Sequence, residues 1–322
     1  MHIAIIGLGS MGKRRIRLLR EMHPEFGIVG IDGREDRRIE TEELFVIKTY
    51  DRMDAIIENI DCAFVCTSPL SHASVISSCL SKGWHVFSEI NLIQTDYEKN
   101  IMLAENLGRT LFLSSTFLYR EEIRYIQTLV DDKQRWNYSY HVGQYLPDWH
   151  PWESYKDFFV GNKKTNGCRE ILAIELPWIT HIFGKIKEVR VTSDKMSELD
   201  IDFDDNYMIQ VIHENGNKGM LLIDVVSPVA VRKLEAYTEG KYIFWEGTPE
   251  GLRVYNPNKK QAEPVLLTEQ AARIAGYKAF IVENAYSNEI KEFLAVIQKK
   301  KEAIYGFKED LEILNLIDSM GA

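Results

Sequence analysis

HIAIIGLGSMG, residues His2 to Gly12, is the stretch that decides the fold of this chain. Its apolar first half predicts a β-strand, which runs directly into glycines with the spacing GxGxxG and then into a helical pattern. The first glycine of such a turn permits the tight bend, the second lets backbone approach a diphosphate, and the third lets helix and strand pack closely. The N-terminus of the following helix favours negative charge. The stretch therefore predicts a diphosphate-binding loop that consists of Gly7, Gly9, Ser10, Met11 and Gly12.

An acidic residue follows this loop at the spacing that a dinucleotide site requires. The run GIVGID predicts a second strand that ends in Asp32, about 20 residues after Gly12. A carboxylate there binds the unphosphorylated ribose of NAD and repels the 2′-phosphate of NADP, although Arg34, Arg37 and Arg38 could neutralise such a phosphate. The sequence therefore favours NAD over NADP. A glycine-rich turn without a nucleotide is the alternative, and the agreement of strand, glycines, helix and acid disfavours it.

The pattern of elements predicts two domains. Strands alternate with helices over residues 1–119, which predicts an α/β Rossmann dinucleotide-binding domain with a parallel sheet. Residues 120–322 contain a series of strands with the turn signals ENGNKG and GTPEG, which predicts an α+β substrate and oligomerisation domain with a mostly antiparallel open sheet. Long amphipathic helices are expected over 277–299 and 308–320, and the last one could pack against the first domain.

Composition limits the kind of partner. A chain of 322 residues exceeds the size at which one core stops growing, and its net charge of −9 argues against nucleic acid or an anionic membrane surface. No apolar run approaches the ~20 residues that span a bilayer, and the chain begins with a strand, so we expect a soluble cytoplasmic protein with a small-molecule substrate. The four cysteines include no CxxC and no zinc spacing, which predicts reduced thiols and no metal site.

An uncovered sheet face is expected in the second domain. The few helices that remain cannot cover both faces of a sheet over residues 186–255, and we expect Tyr242 and Trp245 on the exposed one. Burial between subunits is the usual remedy for such a face. The sequence therefore predicts a homodimer or homotetramer that forms through this sheet.

Several segments together resemble one known family. GLGSMG, the run CTSPLSHASVISSCLSKGWHVFSE, the SEINL at Ser88 to Leu92 and the open sheet are similar to the Gfo/Idh/MocA (glucose-fructose oxidoreductase/inositol dehydrogenase) family over nearly the whole chain. The resemblance is greatest to members linked to bacterial surface-sugar biosynthesis, which have an aromatic loop like GQYLPDWHPWESY at Gly143 to Tyr155. It implies oxidation or reduction of a sugar or nucleotide-activated sugar with NAD or NADP. It also implies further cofactor contacts from Thr67, Ser68, Pro69, His72, Glu89 and Asn91.

The aromatic loop is a candidate substrate site. Aromatic and polar side chains in one loop suit stacking on a sugar or base ring, whereas a packed interface loop is the alternative. The expected substrate contacts are Asp148, Trp149, His150 and Tyr155, together with Arg169 from the helix that follows.

This sequence departs from the family at the positions that carry chemistry. The family's Glu-Lys-Pro, whose lysine lies near the reacting carbon, is replaced by Glu89-Ile90-Asn91. Isoleucine cannot polarise or deprotonate a sugar hydroxyl while hydride leaves. The family's aspartate and, four residues on, its histidine align with Glu170 and Ile174, so only an acid at Glu170 is retained.

The helix CREILAIELPWITHIFG contains the remaining acid/base candidates. We prefer Glu175, because its neighbours are apolar, burial would raise its pKa, and Pro177 could turn it toward a cleft. A structural carboxylate paired with Arg169 or a backbone amide is the equal alternative. A hydrogen-bonded or dipole-paired structural residue is the simpler interpretation of His181. The catalytic candidates are thus Glu175, Glu170 and His181 of this helix, together with Tyr119, which precedes it in the chain.

Two functions remain open on the sequence alone. The first is an NAD-dependent sugar dehydrogenase whose acid/base group has moved to one of these candidates. The second is a catalytically inactive nucleotide- or sugar-binding or regulatory protein that retains the fold. An intact phosphate loop with Asp32 favours nucleotide binding in both cases. The absent lysine is the feature that separates them.

Overall fold

A computed structural model describes residues 1–131, 133–149, 153–267, 272–273 and 281–322. The chain divides into two compact units. The first comprises Met1–Ser115 and Tyr286–Glu312, and the second comprises Thr116–Ala285 and Ile313–Ala322.

The first unit contains a parallel six-stranded sheet, as the alternation of strands and helices predicted. Its strands are β1 (His2–Ile6), β2 (Gly27–Ile31), β3 (Lys48–Tyr50), β4 (Cys62–Val65), β5 (His85–Ser88) and β6 (Leu111–Leu113). Their order is β3-β2-β1-β4-β5-β6, and every pair is parallel. The order reverses between β1 and β4, where the carboxyl ends of the strands open a crevice for a ligand.

Helices connect these strands. They are α1 (Ser10–Met22), α2 (Glu35–Phe45), α3 (Pro69–Ser81) and α4 (Tyr97–Leu107). Gly108 ends α4 in the left-handed conformation that favours glycine, at φ 60°. These helices agree with the alternation of strands and helices that the sequence predicted for this domain.

The second unit contains an eight-stranded sheet. Its helices are α5 (Glu121–Leu129) and α6 (Gly167–Phe183), and its strands are β7 (Asn137–Gly143), β8 (Ile186–Asp194), β9 (Asn206–His213), β10 (Lys218–Asp224), β11 (Val231–Thr238), β12 (Lys241–Trp245), β13 (Arg253–Asn256) and β14 (Gln261–Pro264). The order is β14-β13-β12-β11-β7-β10-β9-β8. Only β7 and β10 pair in parallel, so the prediction of a mostly antiparallel sheet is confirmed.

Helix α6 covers one face of this sheet. Tyr138 of β7 stacks on Phe183 with ring centroids 4.3 Å apart, and Tyr140 meets the edge of Trp178 at 5.2 Å. Trp245 lies on this covered face as well, fully buried and 5.9 Å from Trp178. The expectation that Trp245 lies on the exposed face was therefore wrong.

The opposite face of the sheet keeps apolar side chains in contact with solvent. Met208, Met220 and Tyr237 alternate with the covered positions of β9, β10 and β11. Their exposed fractions are 54%, 44% and 50%. Tyr242 of β12 is opposite Tyr237 in the strand register and is half-buried.

Two further helices follow the second sheet along the chain, α7 (Glu283–Ile297) and α8 (Phe307–Met320). The predicted start of the first of them, at residues 277–280, lies outside the described residues. In the first unit, Phe293 of α7 is fully buried against the rings of Phe64, Phe87 and Phe112, at centroid distances of 5.3, 5.5 and 5.6 Å. Over the described ranges no helix is both long and apolar enough to cross a membrane.

Candidate functional site

The glycine loop of the first unit has the geometry that its spacing predicted. Gly7 follows β1 with φ +93°, a conformation that L side chains rarely adopt. A Cβ on Gly12 would lie 2.0 Å from the carbonyl oxygen of Gly7, so only glycine fits where α1 crosses the loop. At Gly9, by contrast, the nearest atom to an added Cβ is Nη1 of Arg37 at 3.8 Å. The backbone at Gly9 therefore faces open space, where a diphosphate could approach it.

The first turn of α1 is suited to an anion. Its cap residue is Gly9, no side chain caps the helix, and the first turn contains no acidic residue. The first N–H groups of a helix have no partner within the helix. They are therefore available to the oxygens of a diphosphate, and the helix dipole adds to the attraction.

Asp32 is held at the carboxyl end of β2 beside this loop. Its Oδ2 accepts a hydrogen bond from the N–H of Leu8 at 2.9 Å, and its Oδ1 accepts one from the N–H of Arg34 at 2.9 Å. Nη1 of Arg37 lies 3.7 Å from Oδ2, and Arg38 donates to the Asp32 carbonyl at 2.9 Å. The two backbone bonds tie the acid to the glycine loop, and the nearby guanidinium groups partly neutralise its charge.

His72 supports the loop after β4 from inside the protein. Nδ1 of its ring is 2.7 Å from Oδ1 of Asn91, and Nε2 is 2.8 Å from the carbonyl oxygen of Thr67. Burial lowers the pKa of His72, so the ring is neutral near pH 7. Both ring nitrogens are engaged within the protein. The ring therefore holds the segment Thr67-Ser68-Pro69 to the turn at Asn91, and its expected contact with a cofactor stays a prediction.

Glu175 of α6 is completely enclosed. Its Oε2 accepts hydrogen bonds from Tyr140 Oη at 2.6 Å and Trp178 Nε1 at 2.7 Å. Its Oε1 accepts two from Arg232, at 2.6 Å from Nη2 and 3.1 Å from Nε. This saturated carboxylate matches the structural alternative of the sequence analysis, with Arg232 of β11 as the partner instead of Arg169.

Glu170 has a different environment on the same helix. It lies half-buried in the first turn of α6, and within the described ranges its carboxylate has no hydrogen-bond or ion-pair partner. Burial raises the pKa of Glu170 to about 8. A carboxyl group with that pKa can gain or lose a proton near neutral pH, which is what a general acid or base requires.

The other residues proposed for catalysis have different surroundings. His181 is exposed near the end of α6, eleven residues and about 16 Å along the helix axis from Glu170, and contacts the Gln127 side chain at 2.8 Å. Tyr119 is buried, and the guanidinium of Arg124 lies 5.7 Å from its ring centroid. His181 is thus separated from Glu170 along α6, and the catalytic role of Tyr119 stays a prediction.

Arg169 points toward the C-terminal segment of its own unit. Its Nη2 is 2.7 Å from Oδ1 of Asp318, and its Nη1 donates to the carbonyl oxygen of Ala322 at 2.6 Å. These contacts occupy much of the guanidinium, and a substrate contact by Arg169 stays a prediction.

The aromatic loop lies beside the first turn of α6. A Cβ on Gly167 would be 3.3 Å from Cη2 of Trp149, so this tryptophan packs where α6 begins. The indole N–H of Trp149 donates to the Gln144 carbonyl at 3.2 Å, and the Tyr155 hydroxyl accepts from the Asp200 N–H at 3.2 Å. Asp148 is exposed. His150 lies outside the described residues.

Two arginines with important contacts were missed in the sequence, although each has a detectable signal. Arg15 stands on the apolar stripe of α1 together with Gly12, Ile16 and Leu19. Arg232 shares the covered face of β11 with Leu234, two residues further on. A charged residue at a core position of a helix or strand indicates a buried counter-charge. Which acid supplies that charge cannot be deduced from local spacing.

Metal binding has no support in the part of the chain that is described. No group of three or more His, Cys, Asp or Glu side chains there is placed to hold an ion. The four cysteines are free thiols. Burial raises the pKa of Cys62, Cys66, Cys79 and Cys168, so they stay protonated near pH 7.

The sequence of the unit that contains the glycine loop is similar to known oxidoreductases. Residues 1–113 match the GFO_IDH_MocA family model, described as an oxidoreductase family with an NAD-binding Rossmann fold. Among curated proteins, human biliverdin reductase A is 25% identical over 199 residues, which is 61% of this chain and 62% of that protein. Myo-inositol 2-dehydrogenase of Thermotoga maritima is 34% identical over 103 residues, 30% of this chain and 31% of that protein. The chain thus matches less than two thirds of the length of these relatives.

The whole fold also has counterparts among solved structures. A UDP-N-acetylglucosamine 3-dehydrogenase from Acidithiobacillus ferrooxidans superposes with a TM-score of 0.78 at 14% identity, over all of this chain and 96% of the other. At such identity the match concerns the fold alone. Both the parallel sheet and the large antiparallel sheet belong to that fold.

The enclosure of Glu175 predicts a structural penalty for its replacement. Glu175→Gln leaves Arg232 as a buried charge without its counter-charge, so we expect the free energy of unfolding to fall by about 3–5 kcal/mol. Urea denaturation followed by circular dichroism measures this loss. The matched control is Glu170→Gln on the same helix, which removes no ion pair among the described residues and should not lower stability. Equal stability of the Glu175→Gln variant and the parent protein would contradict the structural role.

Proposed function

We propose that this chain, whose residues 1–113 match the GFO_IDH_MocA oxidoreductase family model, transfers hydride between NAD and a sugar or nucleotide-activated sugar. The observation that carries this proposal is the glycine cradle at α1, which is open at Gly9 and has Asp32 fixed beside it. The proposed substrate class is that of the inositol dehydrogenase and the UDP-sugar dehydrogenase, to which the chain is similar. Action on a CH–OH group is inferred from the same two proteins.

The residues of the first unit fit a nicotinamide dinucleotide. The backbone from Gly7 to Gly12 and the first turn of α1 would hold its diphosphate, and Asp32 would bind the hydroxyls of the adenosine ribose. When bound, the nicotinamide supplies the hydride chemistry. The protein must still provide a group that exchanges a proton with the sugar oxygen, because Ile90 cannot do so.

Glu170 is our choice for that group. It stands at the position where the family's aspartate aligns, its carboxylate is not committed to an ion pair among the described residues, and its pKa is raised to about 8 by burial. In the direction of reduction the protonated carboxyl would donate to the oxygen that forms. In the direction of oxidation the carboxylate would accept the hydroxyl proton. Glu175 is the weaker candidate, since both of its oxygens already accept hydrogen bonds.

A second candidate is a reductase whose acceptor is a conjugated carbon system instead of a sugar. The match to human biliverdin reductase A covers twice as much of this chain as the match to the inositol dehydrogenase, 61% against 30%. The missing lysine agrees with it, because reduction of such an acceptor involves no sugar hydroxyl to deprotonate. Turnover of NADH with biliverdin, compared with turnover of NAD with a panel of UDP-sugars, separates the two candidates. No turnover with either, despite tight NAD binding, would favour the inactive binding protein.

Replacement of Glu170 should abolish the proton transfer. We expect Glu170→Gln to lower kcat by about 10²- to 10⁴-fold, with the affinity for NAD unchanged. In the parent protein the rate of reduction should fall as the pH rises through about 8, because the acid loses its proton there. Steady-state kinetics from pH 6 to 10 measures both effects. His181→Asn is the control, expected to retain the pH profile; an unchanged profile in Glu170→Gln would assign the proton to another group.

Asp32 should determine the choice between the two nicotinamide cofactors. Asp32→Ala removes hydrogen bonds that only an unphosphorylated ribose can make, so we expect a far greater loss of affinity for NAD than for NADP. Fluorescence titration with NADH and NADPH measures this difference. Asp54, an exposed acid of the same unit that pairs with Lys82, supplies the control Asp54→Ala, which should change neither affinity. Equal loss for both cofactors, or tighter binding of NADPH by the parent, would contradict the assignment.

The exposed sheet face should bring copies of this chain together. We propose a homodimer or homotetramer through the face that carries Met208, Met220 and Tyr237, because burial of this apolar surface favours association. Multi-angle light scattering at micromolar concentration should detect the oligomer, and Met220→Lys should dissociate it. Met102→Lys, at an exposed position of α4, is the matched control. A monomeric parent protein would refute the proposal.

A further inference from the structure

A buried cluster of charges lies directly behind the carboxyl edge of the parallel sheet. Arg15 of α1 binds Glu89 with two hydrogen bonds, 2.6 Å from Nε to Oε1 and 3.1 Å from Nη2 to Oε2. Nη2 also donates to Oε2 of Glu289, on α7, at 2.7 Å. Ser114 and the N–H of Ser115 donate to the other oxygen of Glu289, at 2.9 and 2.7 Å. Two carboxylates thus share one guanidinium in the interior of the first unit.

The electrostatics of the cluster keep Arg15 charged. Burial alone would lower the pKa of Arg15, but the charges of Glu89 and Glu289 raise it above its ordinary value. The guanidinium also stacks on the ring of Phe87, 4.5 Å from its centroid. Arg14, the preceding residue of α1, lies over the ring of Tyr286 at 4.5 Å.

The cluster presents a carboxylate, and not a guanidinium, toward the edge of the sheet. Glu89 follows the last residue of β5, where the crevice of a doubly wound sheet opens. Its side chain is 10% exposed, whereas the side chains of Arg15 and Glu289 are completely buried. Arg14 and Arg15 both lie in the second turn of α1, one turn after the helix start that would face the diphosphate. Among Arg15, Glu89 and Glu289, the most exposed charge is therefore the negative one of Glu89.

The strands beside Glu89 belong to the half of the sheet that binds the second mononucleotide. A dinucleotide-binding sheet consists of two such halves, and β1 to β3 with Asp32 take the adenosine. The ends of β4 and β5 are then left for the nicotinamide. Its ring has a positive charge when oxidised and none when reduced.

We infer that Glu89 gives this protein a preference for the oxidised over the reduced nicotinamide cofactor. The inference rests on the proposed function and adds to it which redox state the site stabilises. A carboxylate at the edge of the sheet attracts the charged ring and has no such attraction for the neutral one, while the contacts of diphosphate and adenosine are common to both. Arg15 is paired with Glu89 and weakens this field, but Glu289 supplies a second negative charge to the same guanidinium, so the three groups together stay negative.

The test compares affinities in variants that separate charge from structure. Isothermal titration gives Kd for NAD⁺, NADH and ADP-ribose, which lacks the nicotinamide. In Glu89→Gln we expect the ratio of Kd for NAD⁺ to Kd for NADH to rise roughly three- to tenfold, the effect of one partly compensated charge in a medium of intermediate dielectric. Glu89→Asp retains the charge and should leave the ratio close to that of the parent protein. Ser114→Ala removes a hydrogen bond of the same cluster without a change of charge, so all three affinities should move together.

Each outcome decides one of the two proposals. If ADP-ribose, NAD⁺ and NADH all fail to bind the parent protein, the proposed function is wrong. If all three bind, and Glu89→Gln weakens them equally, Glu89 has only a structural role and this inference is wrong. Should Glu89→Gln fail to fold, Glu289→Gln removes a charge from deeper in the cluster. A smaller rise in the ratio of Kd for NAD⁺ to Kd for NADH would then support the inference, and an unchanged ratio would refute it.

Discussion

The close contact between Gly12 and Gly7 is the constraint on which the first unit depends. Because a Cβ at Gly12 would lie 2.0 Å from the Gly7 oxygen, α1 can cross β1 only at glycine. That crossing sets the position of the first turn of α1 at the diphosphate site. It also directs Arg15, one turn further along, into the sheet where Glu89 and Glu289 receive it. The binding loop and the charged interior thus follow from one steric condition.

Features that depend on local spacing could be predicted from the sequence. Glycines at GxGxxG, the acid after β2 and the change from alternating elements to successive strands each have a short-range physical cause. The face of Trp245 could not be predicted in this way, because a shift of one residue moves a strand side chain from one face to the other. The partners of Glu175 and Glu89 could not be predicted either, because Arg232 and Arg15 lie far from them in the sequence.

The turn Glu89-Ile90-Asn91 holds the carboxyl ends of two strands of the first unit in place. Glu89 binds Arg15, and Asn91 contacts His72, which holds the Thr67 loop. Both outer positions therefore connect the ends of β4 and β5 to the rest of the unit. Ile90 between them carries no ionisable group. Our proposal therefore keeps this turn as framework and assigns the acid/base chemistry to a residue of another element.

The two carboxylates of α6 explain where that chemistry could pass. Glu175 and Glu170 are five residues apart on one helix, yet one is saturated by Arg232, Tyr140 and Trp178 and the other has no such donors among the described residues. The donors around Glu175 occupy both of its oxygens, whereas burial raises the pKa of Glu170 to about 8. The apolar neighbours that favoured Glu175 in the sequence were therefore an incomplete guide. The set of donors that tertiary structure supplies differs between the two acids, and this difference is the reason for our proposal of Glu170.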